Sequence, residues 1–292
     1  MKPATRNTYA ERIDRVVARL QQAVVAGGEL PDLPELAAIA HLSSFHFHRV
    51  YRALTGETIG RTVARLRLLR ALHLLGDAQA SITGIAMTVG YETPQAFARA
   101  FRDAFAASPS ELRAQPARMA DELQRLSRPP ERAGRDDAPL RVDVVSVEPF
   151  EVVALRNRGA YEDLDQAYWQ LMNWAIAVGI ADTLSGLYGI PLQDHRDVPA
   201  GEVEFDCAMA FSTEAQPPAP MRRLQVGGGG YARARHVGSF GLLEDATDRL
   251  LAEWLPGSGH ALRDVPIHYG YLDDPEEVPE AMLRTDIFIP VQ

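Results

Sequence analysis

A short apolar pattern occurs twice, 49 residues apart, and it constrains the fold of the N-terminal half more than any other feature. The first set stands at i, i+3, i+4 and i+7 and comprises Leu33, Leu36, Ala37 and Ala40. The second set repeats this spacing and comprises Ile82, Ile85, Ala86 and Val89. Each set forms one apolar face of a short helix. The N-terminal half therefore contains two similar helical units.

Each short helix is followed by a turn and a second, longer helical pattern. The apolar positions of these longer helices are Phe47, Val50, Tyr51 and Leu54 in the first unit, and Phe97, Phe101 and Phe105 in the second. A short helix, a turn and a longer helix make a helix-turn-helix motif. The sequence thus predicts an all-α N-terminal domain with two such motifs, joined by a helix patterned by Ile59, Val63, Leu66 and Leu69/Leu72.

The opposite face of each longer helix carries polar and basic residues. In the first unit, the four residues that share this face are Phe45, His48, Arg49 and Arg52; in the second they are Gln95, Ala98, Arg99 and Arg102. Arginine pairs bidentately with guanine edges and glutamine with adenine edges, and arginines near a helix C-terminus can hold phosphates. We therefore predict that these eight residues contact DNA, although a solvated face of a core helix would show the same pattern.

The second unit carries a resemblance to a known family. Residues 85–101, completed by Phe105, Ser108-Pro109 and Arg113, resemble the most diagnostic stretch of the AraC/XylS-type DNA-binding domain, and the resemblance extends over residues 8–114. It implies base contacts from Phe45, His48 and Arg49 in the first unit, and it places Pro94, Gln95, Ala98 and Arg99 at the corresponding positions of the second. Since Pro94 and Ala98 offer no polar contact to a base, readout by the second unit is expected from Gln95 and Arg99.

The C-terminal half has a different pattern and repeats itself. Residues 115–139 are rich in Arg, Pro, Ala and Asp and are predicted to be a linker, with a helical extension at 121–126, between domains at 1–114 and 140–292. Beyond the linker, strand patterns surround a helical stretch at 162–178. Positions that recur 79 residues later are Gly159, Tyr161, Leu164, Ala167 and Leu171, which match Gly238, Phe240, Leu243, Ala246 and Leu250. We predict an α+β domain made of a duplicated strand-helix-strand-strand module, with a ligand cleft between the copies.

This half resembles the GyrI-like effector-binding domain. The resemblance rests on residues 158–161, 236–240 and 271–275, and on 285–290. The whole chain thus resembles the Rob-type regulators, which pair an AraC-type domain with a GyrI-like domain. The resemblance implies a small-molecule effector bound between aromatic walls, for which the candidates are Tyr161, Trp169, Tyr188, Phe240, Tyr269, Tyr271 and Phe288. Tyr269 stands where the family usually has a glutamate, so an aromatic or amphipathic effector is expected, neutral or held only by aromatic faces.

Charge divides the chain in the same place as the patterns do. Residues 1–135 carry a net charge of +6 and residues 136–292 a net charge of −15, so only the first half is expected to meet a polyanion. The single cysteine, Cys207, excludes a disulfide framework and a cysteine zinc site. No apolar run reaches the ~20 residues of a membrane helix, and the N-terminus shows no signal peptide pattern. A cytoplasmic protein without cofactor or metal is expected.

Together these features predict a sequence-specific transcription regulator. Its expected partners are double-stranded DNA, a small-molecule effector and, by resemblance, RNA polymerase, with activation as the expected effect. Two alternatives stay open. The C-terminal half could be a hydrolase or a drug-sequestering module, although no Ser-His-Asp constellation and no catalytic residue is identified in the sequence. The protein could also bind DNA without an effector, with the acidic half acting as a docking platform.

Overall fold

The computed structural model describes residues 4–128, 140–196 and 198–292, and it contains two compact units. One unit contains the C-terminal half of the chain together with the segment Leu42–Val50. The other contains Tyr9–His41 and the rest of the N-terminal half from Tyr51 onward. The segment 42–50, which the sequence places in the DNA-binding domain, therefore packs as part of the unit that holds the C-terminal half.

The N-terminal half is helical throughout its described residues. Its helices are α1 (Ala4–Ala26), α2 (Leu33–Ala40), α3 (Ser44–Thr55), α4 (Ile59–Leu75), α5 (Ile82–Thr88), α6 (Pro94–Phe105), α7 (Pro109–Arg113) and α8 (Pro116–Ser127). The sequence pattern Thr8-x-x-Glu11 is that of a capping box and predicts a helix start at Thr8. Helix α1 instead begins at Ala4, four residues earlier. Helix α8 falls in the predicted linker and covers more than the expected extension at 121–126. The remainder of that linker, 129–139, lies outside the described residues.

Polar caps and left-handed turns define the two helix-turn-helix motifs. The side chains of Asp32 and Ser81 accept backbone N–H bonds at the starts of α2 and α5, as N-caps do. The turn after α2 contains His41 in the left-handed region (φ 52°), and the turn after α5 contains Gly90 (φ 87°) at the position 49 residues later. Glycine takes this conformation without strain, whereas histidine does so at a cost. The two motifs thus keep the same turn geometry with different residues.

Three phenylalanines of α6 form the centre of the core of the second motif. Phe97 and Phe101 are fully buried and their ring centroids lie 5.4 Å apart, and Phe105 follows at 4.5 Å from Phe101. They pack with buried residues of the neighbouring helices, namely Leu68, Ala71, Leu72, Leu75, Ile85, Ala86, Val89, Leu112 and Leu126. The predicted apolar face of α6 is therefore the core face, and the polar positions of this helix lie elsewhere on its surface.

The C-terminal half contains an eight-stranded antiparallel sheet. Its strands are β1 (Val142–Val147), β2 (Phe150–Arg158), β3 (Leu184–Pro191), β4 (Glu204–Phe211), β5 (Arg222–Val226), β6 (Gly229–Val237), β7 (His268–Tyr271) and β8 (Arg284–Pro290). The order across the sheet is β1-β6-β8-β7-β3-β4-β2-β5. The helices of this half are α9 (Leu164–Ala177), α10 (Leu243–Arg249) and α11 (Leu255–Ser258), with a π-helical turn between the last two. Helix α9 packs against β2 and β4.

The strand order is symmetric about the centre of the sheet when each of β1 to β4 is matched with the strand four later in the chain. From the β7–β3 pair outward, β8 and β6 follow on one side and β4 and β2 on the other. The edge strands are exchanged, because β1 precedes β2 in the chain but pairs with β6, whereas β5 precedes β6 but pairs with β2. Two ion pairs also recur, Arg156–Asp206 and Arg235–Asp286. This arrangement is the one that two copies of a module would give, and the duplication itself stays an interpretation.

None of the helices in 4–128, 140–196 and 198–292 is both long and apolar enough to cross a bilayer. Within those ranges, no group of three or more His, Cys, Asp and Glu side chains is arranged to hold a metal ion.

Candidate functional site

Helix α6 presents its predicted DNA-contacting residues at the surface. Thr93 caps the helix by accepting the N–H of Ala96 at 3.1 Å, and Pro94 occupies its first turn. Gln95, Arg99 and Arg102 are exposed. The buried phenylalanines on the opposite side fix the helix, so these polar side chains project from a rigid support. The geometry is suited to base contacts by Gln95 and Arg99 and to a phosphate contact by Arg102.

Helix α3 presents its corresponding residues in a different way. Phe45 is 40 % exposed, and His48 and Arg52 are half-buried. Arg49, the position expected to contact a base edge, is only 2 % exposed. It is among the largest fully buried side chains of the described residues. The structure therefore does not present the four predicted contacts of α3 together at the surface.

The guanidinium of Arg49 is held by a carboxylate from the C-terminal half of the chain. Both terminal nitrogens of Arg49 donate to Glu244 of α10, Nη1 to Oε2 and Nη2 to Oε1, the second at 3.3 Å. Nη2 also lies 3.2 Å from the carbonyl oxygen of Gln193. The hydroxyl of Tyr161 donates to Oε1 of Glu244 at 2.9 Å. All four residues belong to one compact unit, and both oxygens of the Glu244 carboxylate accept hydrogen bonds within it.

Arg49 and Glu244 form the central charged pair of this cluster, and Asp194, itself paired with Arg196 at 2.7 Å, also acts on Arg49. Burial opposes the charge of Arg49, but the nearby negative groups, Glu244 first, outweigh it and raise the pKa of Arg49 well above its ordinary value. Burial, reinforced by the Glu244 charge, raises the pKa values of Tyr161 and Tyr269, so both phenols stay neutral. The result is a buried guanidinium–carboxylate pair between neutral aromatic hydroxyls.

A second residue of α3 fixes the same face of the helix. The Nε2 atom of His46, one turn before Arg49, lies 2.8 Å from the carbonyl oxygen of Arg263. His46 is buried, and burial lowers its pKa. His46 and Arg49 are thus both enclosed within the unit that contains the sheet. The first turn of helix α3 is thus held by the hydrogen bond of the neutral His46 imidazole and by the ion pair of Arg49 with Glu244.

The aromatic residues predicted to line a ligand pocket fall into separate places. Tyr161 contacts Glu244, and the hydroxyl of Tyr269 lies 3.2 Å from that of Thr247. Of the remaining five candidates, Phe240 packs on Tyr271 at 4.9 Å, and Phe288 stacks on His268. Tyr188 lines a cavity of about 470 Å³ together with Phe150 and Trp174. Trp169 is 57 % exposed. The structure therefore brings Tyr161 and Tyr269 to Glu244 but not Trp169, Tyr188 or Phe288.

Comparison with known proteins identifies both halves of the chain. Residues 141–292 match the GyrI-like small molecule binding domain. The chain belongs to the GyrI-like family. Residues 36–115 match a helix-turn-helix domain, of the AraC type. An AraC-type helix-turn-helix domain joined to a GyrI-like domain is the composition of a DNA-binding transcription regulator.

Two sequence relatives and one solved structure are similar to this chain over different shares of its length. The probable transcriptional regulator YgiV of Escherichia coli K12 is 28% identical over 158 residues, which cover 52% of this chain and 96% of YgiV. The HTH-type transcriptional activator RhaS of Escherichia coli O139:H28 is 40% identical over 72 residues, which cover 25% of this chain and only 26% of RhaS. A cryo-EM structure of an EcmrR–DNA complex covers 90% of this chain and 99% of the EcmrR chain, at 11% identity and a TM-score of 0.45. Both sequence relatives carry the names of transcription regulators.

Sequence reasoning missed the one carboxylate of the GyrI-like domain that meets Tyr161. Tyr269 stands where the family usually has a glutamate, and the ligand-pocket candidates chosen from the sequence include no acidic residue. The structure supplies Glu244 from α10 instead. Glu244, Thr247 and Leu251 stand at i, i+3 and i+7, and all three are buried. A carboxylate on the buried face of a helix needs a partner, but the burial of Glu244 is visible only in the structure.

Proposed function

We propose that this protein reads a specific DNA sequence through α6 and α3 and responds to a small aromatic or amphipathic molecule bound in its GyrI-like domain. The observation that carries the DNA-reading role is the exposed face of α6, with Gln95, Arg99 and Arg102 opposite a fully packed phenylalanine core. A rigid helix with exposed bidentate donors is what readout of the major groove requires. Arg52 and Phe45 of α3 supply further contacts.

The role of the effector follows from the aromatic surroundings of Glu244. Tyr161 and Tyr269 place neutral phenols beside a buried carboxylate, which provides both apolar surface and one polar anchor. A molecule bound there changes DNA affinity only by binding one arrangement of the protein more tightly than another. Activation through RNA polymerase is the proposed outcome, in keeping with the name of the relative RhaS, which is similar over the helix-turn-helix region.

A binding-site selection with the full-length protein tests the DNA-reading role. Random duplexes are enriched on the wild-type protein and on the Arg99→Ala variant, and the recovered sequences are compared. The proposal expects a defined motif for the wild type, with one or more base positions relaxed in the variant. No enriched motif for the wild type would contradict it. A reporter promoter that carries the recovered site then distinguishes activation from repression, and thermal shifts with neutral and cationic aromatic compounds identify the effector class.

Hydrolysis by the GyrI-like domain is the competing hypothesis for this half. Its one thiol does not favour it, because Cys207 is fully buried and burial raises the pKa of the thiol to about 12. A thiol of this kind is a poor nucleophile at neutral pH. Product formation from a compound that gives a thermal shift would support hydrolysis, whereas recovery of the unchanged compound supports binding.

A further inference from the structure

Arg49 cannot contact a DNA base and pair with Glu244 at the same time. By its place on α3, this residue belongs to the face that meets base edges in a helix-turn-helix motif. In the structure its guanidinium is buried and both of its terminal nitrogens donate to Glu244. Recognition of guanine uses the same fork of donors. One guanidinium cannot serve both acceptors, so base contact by Arg49 requires that it leave Glu244.

We propose that Glu244 is a guanidinium-binding site that holds α3 away from DNA, and that an effector with a planar guanidinium or amidinium group displaces Arg49 and releases the helix. This inference rests on the proposed DNA-reading function and assigns the regulation of the Glu244 site. It makes Arg49 an internal competitor of the effector. His46, bound to the Arg263 carbonyl, is the second contact that the release of α3 must break.

The contacts around Glu244 define the chemical class of the effector. The carboxylate already accepts two N–H groups in a forked arrangement, and the Gln193 carbonyl accepts from the same guanidinium at 3.2 Å. A planar cation with several coplanar N–H donors reproduces these bonds, which a single-point ammonium cannot do with the same geometry. The phenol rings of Tyr161 and Tyr269 favour an aromatic group attached to that cation. Benzamidine combines both features and is a suitable probe.

The energetics of a buried pair explain why such an exchange is feasible. An ion pair in a protein interior gains little net stability, because desolvation offsets the attraction of the two charges. Leaving Glu244 buried without any cation is unfavourable, so Arg49 is released readily only when another cation takes its place. Linkage requires the reverse as well: DNA that captures Arg49 must raise the affinity for the effector by the same factor.

The test compares the full-length wild type with Glu244→Gln and Asp245→Asn. Glu244→Gln removes the charge that holds Arg49. Asp245→Asn is the matched control, because it removes one charge from the next residue of α10, whose side chain is 69% exposed and pairs with Arg196 and not with Arg49. Each protein is put through binding-site selection, and affinities for the recovered duplexes are measured with no ligand, with benzamidine and with neutral benzamide.

We expect Glu244→Gln to bind DNA at least tenfold more tightly than the wild type without ligand, and to select a longer motif that includes base pairs read by α3. Asp245→Asn should match the wild type. Benzamidine should raise the wild-type affinity and leave Glu244→Gln unchanged, and benzamide should act on neither. Equal affinities and motifs for the wild type and Glu244→Gln, or an equal benzamidine effect on both, would overturn the inference while leaving the DNA-reading function intact. No motif with any variant would overturn both.

A second readout covers loss of folding in Glu244→Gln. Hydrogen exchange should be faster in residues 44–50 of this variant and unchanged in the sheet strands β3 and β4. If the variant unfolds, Tyr161→Phe replaces it, since it removes only the hydroxyl that supports Glu244. A smaller increase in both DNA affinity and α3 exchange is then expected, and unchanged values in Tyr161→Phe would contradict the inference.

Discussion

The two longer helices of the tandem motifs share a sequence pattern and differ in what their arginines do. In α6, Arg99 and Arg102 are exposed above a core of three phenylalanines. In α3, Arg49 is buried and paired with Glu244, and His46 is bound to the carbonyl of Arg263. The spacing of apolar residues predicts both helices equally well. Whether a basic side chain on such a helix reaches solvent depends on an acceptor that lies about 200 residues away in the chain.

This difference suggests a division of labour between the helices. Under the proposed function, the exposed face of α6 needs no rearrangement to meet DNA and would be the constant anchor. Arg49 and His46 on the buried face of α3 already bind acceptors within the protein, so the contribution of α3 to DNA binding would be conditional. Such a regulator would change its affinity for DNA by changing the number of helices that contact it.

The largest expected effect is on stability, from Arg49→Met against Arg99→Met. Removal of Arg49 leaves Glu244 buried without its cation, which should lower the free energy of unfolding by about 3 kcal/mol. The matched change at exposed Arg99 should cost less than about 0.5 kcal/mol. Urea unfolding followed by tryptophan fluorescence reports on the unit that contains Arg49, because all three tryptophans lie in the C-terminal half, and circular dichroism at 222 nm reports on the helical unit that contains Arg99.

A double variant controls for the origin of that loss. Replacement of both partners by apolar residues, in Arg49→Met with Glu244→Leu, should restore most of the stability, because a buried pair and an apolar pair of similar volume differ little. If Arg49→Met is as stable as Arg99→Met, the pair with Glu244 does not form in solution and the contrast between the helices disappears.

The next effect is on DNA affinity in the protein without effector. Arg99→Ala should weaken binding to the selected site 10- to 100-fold, the ~1–3 kcal/mol that one good bidentate base contact contributes. Arg49→Ala should not weaken it, because Arg49 is engaged by Glu244. Arg61→Ala on α4, also exposed, controls for the loss of one positive charge. Fluorescence anisotropy with a labelled duplex measures all three, and equal losses at Arg49 and Arg99 would show that α3 is already on the DNA.

The N-terminal helices were predictable because their signals are local. Periodicity placed the core residues Phe97, Phe101 and Phe105, all of which are buried, and the repeated apolar spacing placed α2 and α5. The start of α1 was misplaced by four residues because a capping-box pattern at Thr8 resembles a helix start inside a longer helix. The extent of α8 was underestimated because its residues are polar enough to resemble a linker.

The Glu244 site was not predictable by the same reasoning. Its members come from α3, α10 and the segments that carry Tyr161 and Gln193, so no spacing along the chain connects them. The sequence pattern places Arg49 on the polar face of α3 but gives no information on its burial or on its partner. Residue type alone does not separate Tyr161 and Tyr269, which meet at the site, from Trp169, which is exposed.

A smaller effect concerns the start of α6. Thr93→Ala removes the cap on the Ala96 N–H and should destabilise the helical unit by about 1 kcal/mol. Thr93→Ser keeps the hydroxyl and should be close to the wild type. Thermal unfolding followed by circular dichroism at 222 nm compares the two. A further expectation separates the helices: the Thr93→Ala change should weaken DNA binding without benzamidine, because α6 is the helix engaged in that state.

The smallest expected effect is a pH dependence confined to α3. Burial, with a contribution from the charge of Arg49, lowers the pKa of His46 below its ordinary value of 6.5, while Asp264 acts in the opposite direction. His48 shifts in the same direction, again chiefly through burial. Protonation is therefore easier when α3 is released, and the anchored form loses stability as the pH falls below 6.5. Hydrogen exchange of residues 44–50, corrected for intrinsic rates, should rise severalfold from pH 7.5 to pH 5.5.

Helix α6 provides the internal reference for this measurement, because it contains no histidine and should show no such change. His46→Gln keeps a donor for the Arg263 carbonyl but cannot be charged, so the rise in α3 exchange should shrink, and His46→Gln with His48→Gln should abolish it. An equal rise in α3 and α6 would indicate general loosening at low pH. A rise in α3 alone that survives both substitutions would show that neither His46 nor His48 causes the pH dependence.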